Sequence, residues 1–294
     1  MKCLAYMAFA ASIAALTACD DKAGGSGEPP MLTDTITLAD SLTYAGSTAE
    51  VTINGQYPVM AAPMLLDSTR QWLAECLSWG TFSTDKPHIM PSRSQITDGS
   101  KLISHLGAKL LASAKRDFIY LAADSITTGY EYQITFAPAY QSDSLLTYEY
   151  NTYCYLGGAH GSAIARVATF AVPSGRRLTY GNTFLPDRRK ELLAKIRSAL
   201  WSQYFRPSMA GGDDNGGSES LSLREALLID PDSLQFPICG PQFGPEGVTF
   251  TYGQYEIAPY AAGMPSCTLP YGEIRPLMRP DVLSLLPAET PAQE

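Results

Sequence analysis

Residues 130–161 read YEYQITFAPAYQSDSLLTYEYNTYCYLGGAHG, and the period of this stretch decides the fold. Tyr130, Tyr132, Ile134 and Phe136 alternate with Glu131, Gln133 and Thr135, the two-residue repeat of a strand with one buried face. Polar Gln141-Ser142-Asp143 interrupts the repeat, which resumes from Leu145 to Tyr155. There Tyr148, Tyr150, Thr152 and Cys154 share one face, and Glu149, Asn151, Tyr153 and Tyr155 share the other. The first set reads as core and the second as an exposed face. Gly157-Gly158-Ala159-His160-Gly161 then turns the chain into a further strand, Ile164 to Val172.

Upstream the period is helical. Leu102, Ile103, Leu106, Leu110, Ala114 and Phe118 recur at three- and four-residue steps, and Asp98-Gly99-Ser100 supplies capping residues. Leu65 to Trp79 reads as another helix, with Leu65, Leu66, Trp72, Leu73 and Cys76 near one face. Ala49 to Tyr57 alternates Val51 and Ile53 against Thr52 and Asn54, as a strand does. Downstream, Pro173-Ser174-Gly175 makes a tight turn and Arg177 to Tyr180 pairs back as a hairpin arm. Asp187 to Phe205 is amphipathic through Leu192, Leu193, Ile196, Leu200 and Tyr204. Val248, Phe250 and Tyr252 mark a strand whose alternation slips at Gly253-Gln254, where a β-bulge is expected. Tyr271 to Met278 closes the chain with a short helix. Helices grouped ahead of hairpin-connected strands predict an α+β fold, with antiparallel sheets, flanking amphipathic helices and two packed modules. The modules are residues 49–141 and 142–285, with 286–294 a flexible tail, and the two can share one sheet.

The N-terminus reads as an address. Lys2 and an apolar run from Leu4 to Leu16 fit a signal peptide over residues 1–18, too short for a membrane span. The run ends in Leu16-Thr17-Ala18-Cys19, which resembles the lipobox of bacterial lipoproteins. That resemblance implies lipidation of Cys19, cleavage before it, and a cell-envelope protein anchored in a membrane it does not span, on its periplasmic or surface side. Residues 19–48, beginning DDKAGGSGEPP after the cysteine, are expected to form a tether. Asp20, Asp21 and Lys22 resemble the export tags of surface lipoproteins of the Bacteroidetes, which are carried on the outer membrane.

Composition narrows the function. With 45% hydrophobic and 17% charged residues the 294-residue chain folds. A net charge of -8 argues against nucleic acid as the partner. His88, His105 and His160 are scattered, so neither a metal nor a cofactor is expected. Asp213-Asp214-Asn215-Gly216 looks like a calcium loop, but Ser218 and Arg224 stand where such a loop needs Gly and Glu.

Three stretches together resemble the RsiV-like extracytoplasmic domain of unknown function. They are Tyr153-Cys154-Tyr155-Leu156-Gly157-Gly158-Ala159-His160-Gly161, then Ser174-Gly175-Arg176-Arg177-Leu178 with Thr183-Phe184-Leu185, and Phe250-Thr251-Tyr252 with Tyr255-Glu256-Ile257-Ala258-Pro259-Tyr260-Ala261-Ala262-Gly263. Residues 49–140 resemble the α/β module that usually precedes it. That domain type occurs in a lysozyme-sensing anti-sigma factor and beside a peptidoglycan deacetylase. The resemblance implies a recognition role in the envelope, with a lysozyme-like protein or a cell-wall glycan as ligand. The chain shows neither the sigma-binding segment nor the transmembrane helix of the anti-sigma factor, so signalling does not carry over.

The candidate ligand-binding residues are Gly157, Gly158, His160 and Gly161 with Tyr155, Tyr255, Glu256 and Tyr260. Glycines let backbone amides approach a ligand, His160 can donate to one, and tyrosines suit interfaces. No catalytic set is assigned: the chain has no G-x-S-x-G, and no spacing singles out a carboxylate pair. The alternative function is a carboxylate-dependent hydrolase acting on peptidoglycan or polysaccharide, with Glu256 the acid to watch. Cys239 and Cys267 flank the Val248–Tyr252 strand and are the favoured disulfide, as an exported compartment permits.

Overall fold

A computed structural model describes residues 29–78, 96–206 and 223–287. The signal segment, Cys19, His88 and the Asp213–Gly216 loop lie outside them.

The period-two segments assemble into a six-stranded sheet of order β1-β2-β3-β4-β5-β6. The strands are β1 (Met31–Tyr44), β2 (Ser47–Ala61), β3 (Gly129–Gln141), β4 (Leu145–Leu156), β5 (Ser162–Ala171) and β6 (Arg176–Leu178). All neighbours are antiparallel except β2 and β3, which are parallel. A parallel pair needs a crossover. It is provided by α1 (Pro63–Ser78) and α2 (Gly99–Ala123), the two helices legible in the sequence.

Both helices pack on one face of this sheet. Leu65, Trp72, Leu73 and Cys76 of α1 and Leu102, Ile103, Leu106, Leu110, Ala114 and Phe118 of α2 are buried against Ile53, Tyr132, Ile134, Tyr148, Tyr150 and Cys154. The parity reading of β4 therefore holds: Tyr148, Tyr150 and Cys154 are core, and Asn151 and Tyr153 are exposed. Asp98 caps α2 by accepting from Lys101 N at 3.1 Å. Gly175 supplies the hairpin turn at φ +65, where its amide donates to Ala171 O at 2.8 Å.

β1 corrects one expectation. Residues 31–44 fall within the expected tether of 19–48, yet they pair with β2 along the whole strand. Ile36, Leu38, Leu42 and Tyr44 pack toward the first core. The alternation is present in the sequence, but Asp34 and Asp40 sit on the same parity and mask it. The sheet also runs on past Gln141, so the expected boundary at 141/142 lies in the β3–β4 hairpin turn.

The second core lies between a three-stranded antiparallel sheet, β7 (Gln242–Phe243), β8 (Gly247–Thr251) and β9 (Ser266–Pro270), and α3 (Arg189–Leu200). Leu192, Ile196 and Leu200 of α3 are buried with Phe243, Val248, Phe250 and Leu269. A helical turn at Tyr271–Ile274 matches the expected final helix, and Leu286 of the expected tail joins this core. The two cores are joined through buried hydroxyls. Thr147 of β4 lies 2.9 Å from Thr169 of β5, Thr147 donates to Phe243 O at 2.7 Å, and Thr169 donates to Pro241 O at 3.0 Å. No described helix is long and apolar enough to cross a membrane.

The favoured disulfide does not form. Cys76, Cys154, Cys239 and Cys267 are all buried free thiols. Cys267 Sγ instead lies 3.6 Å from Ile196 O, on the α3 side of β9.

Candidate functional site

The second core and its three-stranded sheet cover only part of the outer face of the six-stranded sheet. At the Thr147 end the hydroxyls above hold them down. Gln242 donates there to Glu149 at 2.5 Å, and burial pushes the Glu149 carboxyl above its usual range. Toward the Tyr155 end of β4 that cover stops, and the GGAHG loop meets the segment after β8.

Gly161 is the meeting point. Its carbonyl accepts from Tyr260 OH at 2.9 Å and lies 2.9 Å from His160 Nδ1. A carbonyl oxygen only accepts, so Nδ1 is the donor in this contact. The rings of His160 and Tyr260 stack at 3.9 Å, and Tyr255 stands 5.9 Å from Tyr260. Tyr155 donates to Gly158 O at 3.0 Å, which holds the near side of the loop. A Cβ on Gly161 would sit 2.4 Å from the Tyr153 ring, so only glycine lets that ring lie under the loop. Partial burial, then the Glu131 carboxylate and Tyr260, push the Tyr153 phenol up.

The segment from Gly253 departs from the expected bulge. β8 ends at Thr251 and the chain turns back, with Glu256 N donating to Gly253 O at 3.1 Å. Tyr255 takes φ +63, an unusual conformation for a residue with a Cβ. Tyr255 is 56% exposed in this conformation, an aromatic residue set out in solvent. Glu256 is the buttress. One of its carboxylate oxygens accepts from Gly253 N at 2.7 Å and the other from Ile238 N at 2.8 Å. With both oxygens occupied by backbone amides, this acid serves the loop.

The structure thus brings Tyr155, Gly157, Gly158, His160 and Gly161 together with Tyr255, Glu256 and Tyr260. It adds four residues that sequence reasoning missed. Gln254 accepts from Ala163 N at 2.9 Å and ties the turn to β5. Tyr153 lies under Gly161. Ile238 is 91% exposed beside Glu256, and exposed Leu228 donates its amide to Ile257 O at 2.8 Å. Only Tyr153 had a sequence signal, its parity with Tyr155. The other three approach through long-range contacts that no local pattern announces.

The resulting surface is a preset aromatic and apolar cluster, stacked, pinned by its own backbone and flanked by a tight acid. Such a cluster can bury apolar or ring-bearing ligand surface at little conformational cost. Residues 241–272, which contain Tyr255, Glu256 and Tyr260, match the family described as Protein of unknown function (DUF3298).

The fold is similar to crystal structures of two members of that family. One, from Bacteroides fragilis NCTC 9343, is 17% identical, with 89% of this chain and 99% of that chain covered at a TM-score of 0.66. The other, from Pseudomonas aeruginosa PAO1, is 18% identical, with 87% and 98% covered at a TM-score of 0.54. These likenesses bear on the fold alone. No curated protein matches the chain.

Proposed function

We propose that this protein is a lipid-anchored recognition module of the cell envelope, acting by binding rather than by catalysis. Its ligand is a basic, lysozyme-like protein or a cell-wall glycan, and its working surface is the cluster of Tyr155, His160, Tyr255 and Tyr260. The observation that carries this reading is the shared Gly161 carbonyl beneath the His160–Tyr260 stack. It presets an exposed aromatic surface across two distant chain segments. Glu256, the acid a hydrolase would use, is engaged by two backbone amides instead. The lipobox at Leu16–Cys19 supplies the anchor, and the excess of acids steers a basic partner.

Two experiments test it. Cys19→Ala should move the protein from the membrane fraction to the soluble fraction of its host. Binding to lysozyme and to muropeptides is then measured at two salt concentrations, with His160→Ala and Tyr255→Ala alongside. Loss of binding in both variants supports the surface. Turnover of a glycan that vanishes in Glu256→Ala, with folding intact, would overturn the binding reading in favour of a hydrolase.

A further inference from the structure

We infer that the open face of the first sheet, continuous with the aromatic cluster, binds an uncharged glycan chain. This rests on the recognition reading above and names its ligand class.

The register lays out that face row by row. Thr37 of β1 pairs with Asn54 of β2, Asn54 with Thr135 of β3, and Thr135 with Asn151 of β4. The next row runs Thr52, Gln133, Tyr153, and the one after it Glu50, Glu131, Tyr155. Strands lie about 4.8 Å apart, so the Thr37–Asn151 row spans roughly 14 Å, room for a short oligosaccharide. The side chains of Thr52, Asn54, Thr135 and Asn151 hydrogen-bond to no other described residue. Their hydroxyls and amides are free to donate and accept, the chemistry that sugar hydroxyls require.

Charge selects among ligands. β1 to β4 contain no lysine or arginine, although exposed sheet faces and edges ordinarily carry them. The charges at the Tyr155 end are Glu50 and Glu131, directly opposite one another. An anionic polymer is repelled there. A basic protein would meet those two acids but mostly uncharged amides and hydroxyls elsewhere. An uncharged glycan fits the whole face. Each of the last two rows ends in a tyrosine, whose ring offers a flat apolar surface to a sugar ring. At β5 stands the turn after β8, fixed through Gln254 to Ala163 and Tyr260 to Gly161, so the rows run toward a wall.

The test is calorimetric titration of the full chain with uncharged hexamers of β-1,4-linked N-acetylglucosamine, β-1,4-linked glucose and mannose. Polygalacturonate serves as the anionic probe and hen lysozyme as the basic protein. The key variant is Asn54→Ala/Asn151→Ala, whose side chains are free of folded-state partners, with its melting curve recorded as a control. At least one hexamer should bind, and the double variant should weaken it by about tenfold or more. Polygalacturonate should not bind. Hexamer binding that is unchanged in the double variant but lost in Tyr255→Ala overturns the sheet face and leaves the recognition reading standing. Lysozyme binding that is lost in the double variant, with no hexamer bound, overturns the glycan and makes the face a protein dock. If neither hexamers nor lysozyme nor muropeptides bind, both proposals fall.

Discussion

His160 and Tyr260 stack with ring planes 23° apart, and the carbonyl of Gly161 lies within hydrogen-bond distance of both side chains. The two residues come from the β4–β5 loop of the six-stranded sheet and from the turn after β8, so this contact reports directly on how the two sheets meet. Tyr260→Phe keeps the stack and removes one hydrogen bond, so a stability loss of about 1 kcal/mol is expected. The ring-proton resonances of His160, shifted by the Tyr260 ring current, should stay in place. In Tyr260→Ala they should move toward the positions of a free imidazole. Proton NMR of the imidazole checks this, and an unmoved His160 spectrum in Tyr260→Ala would contradict the stack.

The glycines of the same loop should separate cleanly. A Cβ at Gly158 meets nothing within 4 Å, whereas one at Gly161 meets the Tyr153 ring at 2.4 Å. Gly158→Ala should therefore melt within about 0.5 kcal/mol of the parent. Gly161→Ala must displace Tyr153 or the loop, costing about 1–3 kcal/mol. It should also perturb the Tyr153 signals. Equal melting of the two variants would sink this placement of Tyr153.

Much of this was legible one strand at a time. The parity of Tyr148, Tyr150 and Cys154 against Asn151 and Tyr153 gave both the core and the exposed face, because a two-residue period leaves no third option. The α2 stripe from Leu102 to Phe118 was equally plain. β1 was not, because Asp34 and Asp40 occupy the same parity as Ile36 and Leu38 beside a glycine-rich leader. At the site, the loop and the Tyr255–Tyr260 turn were each recognisable, but their meeting was not. Gln254, Ile238 and Leu228 reach it through hydrogen bonds to residues distant in sequence: Ala163 N, the Glu256 carboxylate and Ile257 O. The disulfide expectation failed for a related reason: flanking the same strand in sequence does not bring two sulfurs together.

The four free thiols give a pH prediction. Burial pushes Cys76, Cys154, Cys239 and Cys267 from the usual 9.0 up to about 12, and the Tyr57 phenol from 10.0 to about 12. Each folded group holds its proton more tightly than its unfolded counterpart. Stability is therefore full below pH 9, and falls as pH rises from about 9 toward 12. Melting temperature measured across that range should decline steadily and should not respond to reductant at pH 7. A thiol reagent at pH 8 should leave all four unmodified in the native protein and modify all four after unfolding. Only two reactive thiols after unfolding would restore the Cys239–Cys267 bridge.

The hydroxyl joint between the cores predicts a large effect from a small change. Thr169 is fully buried, donates to Pro241 O, and accepts from Phe243 N at 3.2 Å. Thr169→Val keeps the shape and strands both backbone groups. A loss of about 2 kcal/mol or more is expected from two unsatisfied buried partners. Thr169→Ser keeps the hydroxyl and should recover most of it. Denaturant titration of the three proteins checks this, and equal midpoints for the Val and Ser variants would place the joint's stability elsewhere.

Glu256 separates a structural acid from a catalytic one. Both its oxygens accept from amides, Gly253 N and Ile238 N. Glutamine has one carbonyl oxygen and one NH2 group, so Glu256→Gln sets a donor against a donor at one of these two contacts. The expected cost is about 1–3 kcal/mol. The turn carrying Tyr255 in its left-handed conformation should loosen with it, which faster amide exchange at Gly253 and Ile238 would register. A catalytic carboxylate behaves differently: its amide variant loses turnover while the fold keeps its stability. If Glu256→Gln melts with the parent protein and its amides exchange no faster, the buttress role is wrong, and the acid becomes free for the chemistry that the binding reading denies it.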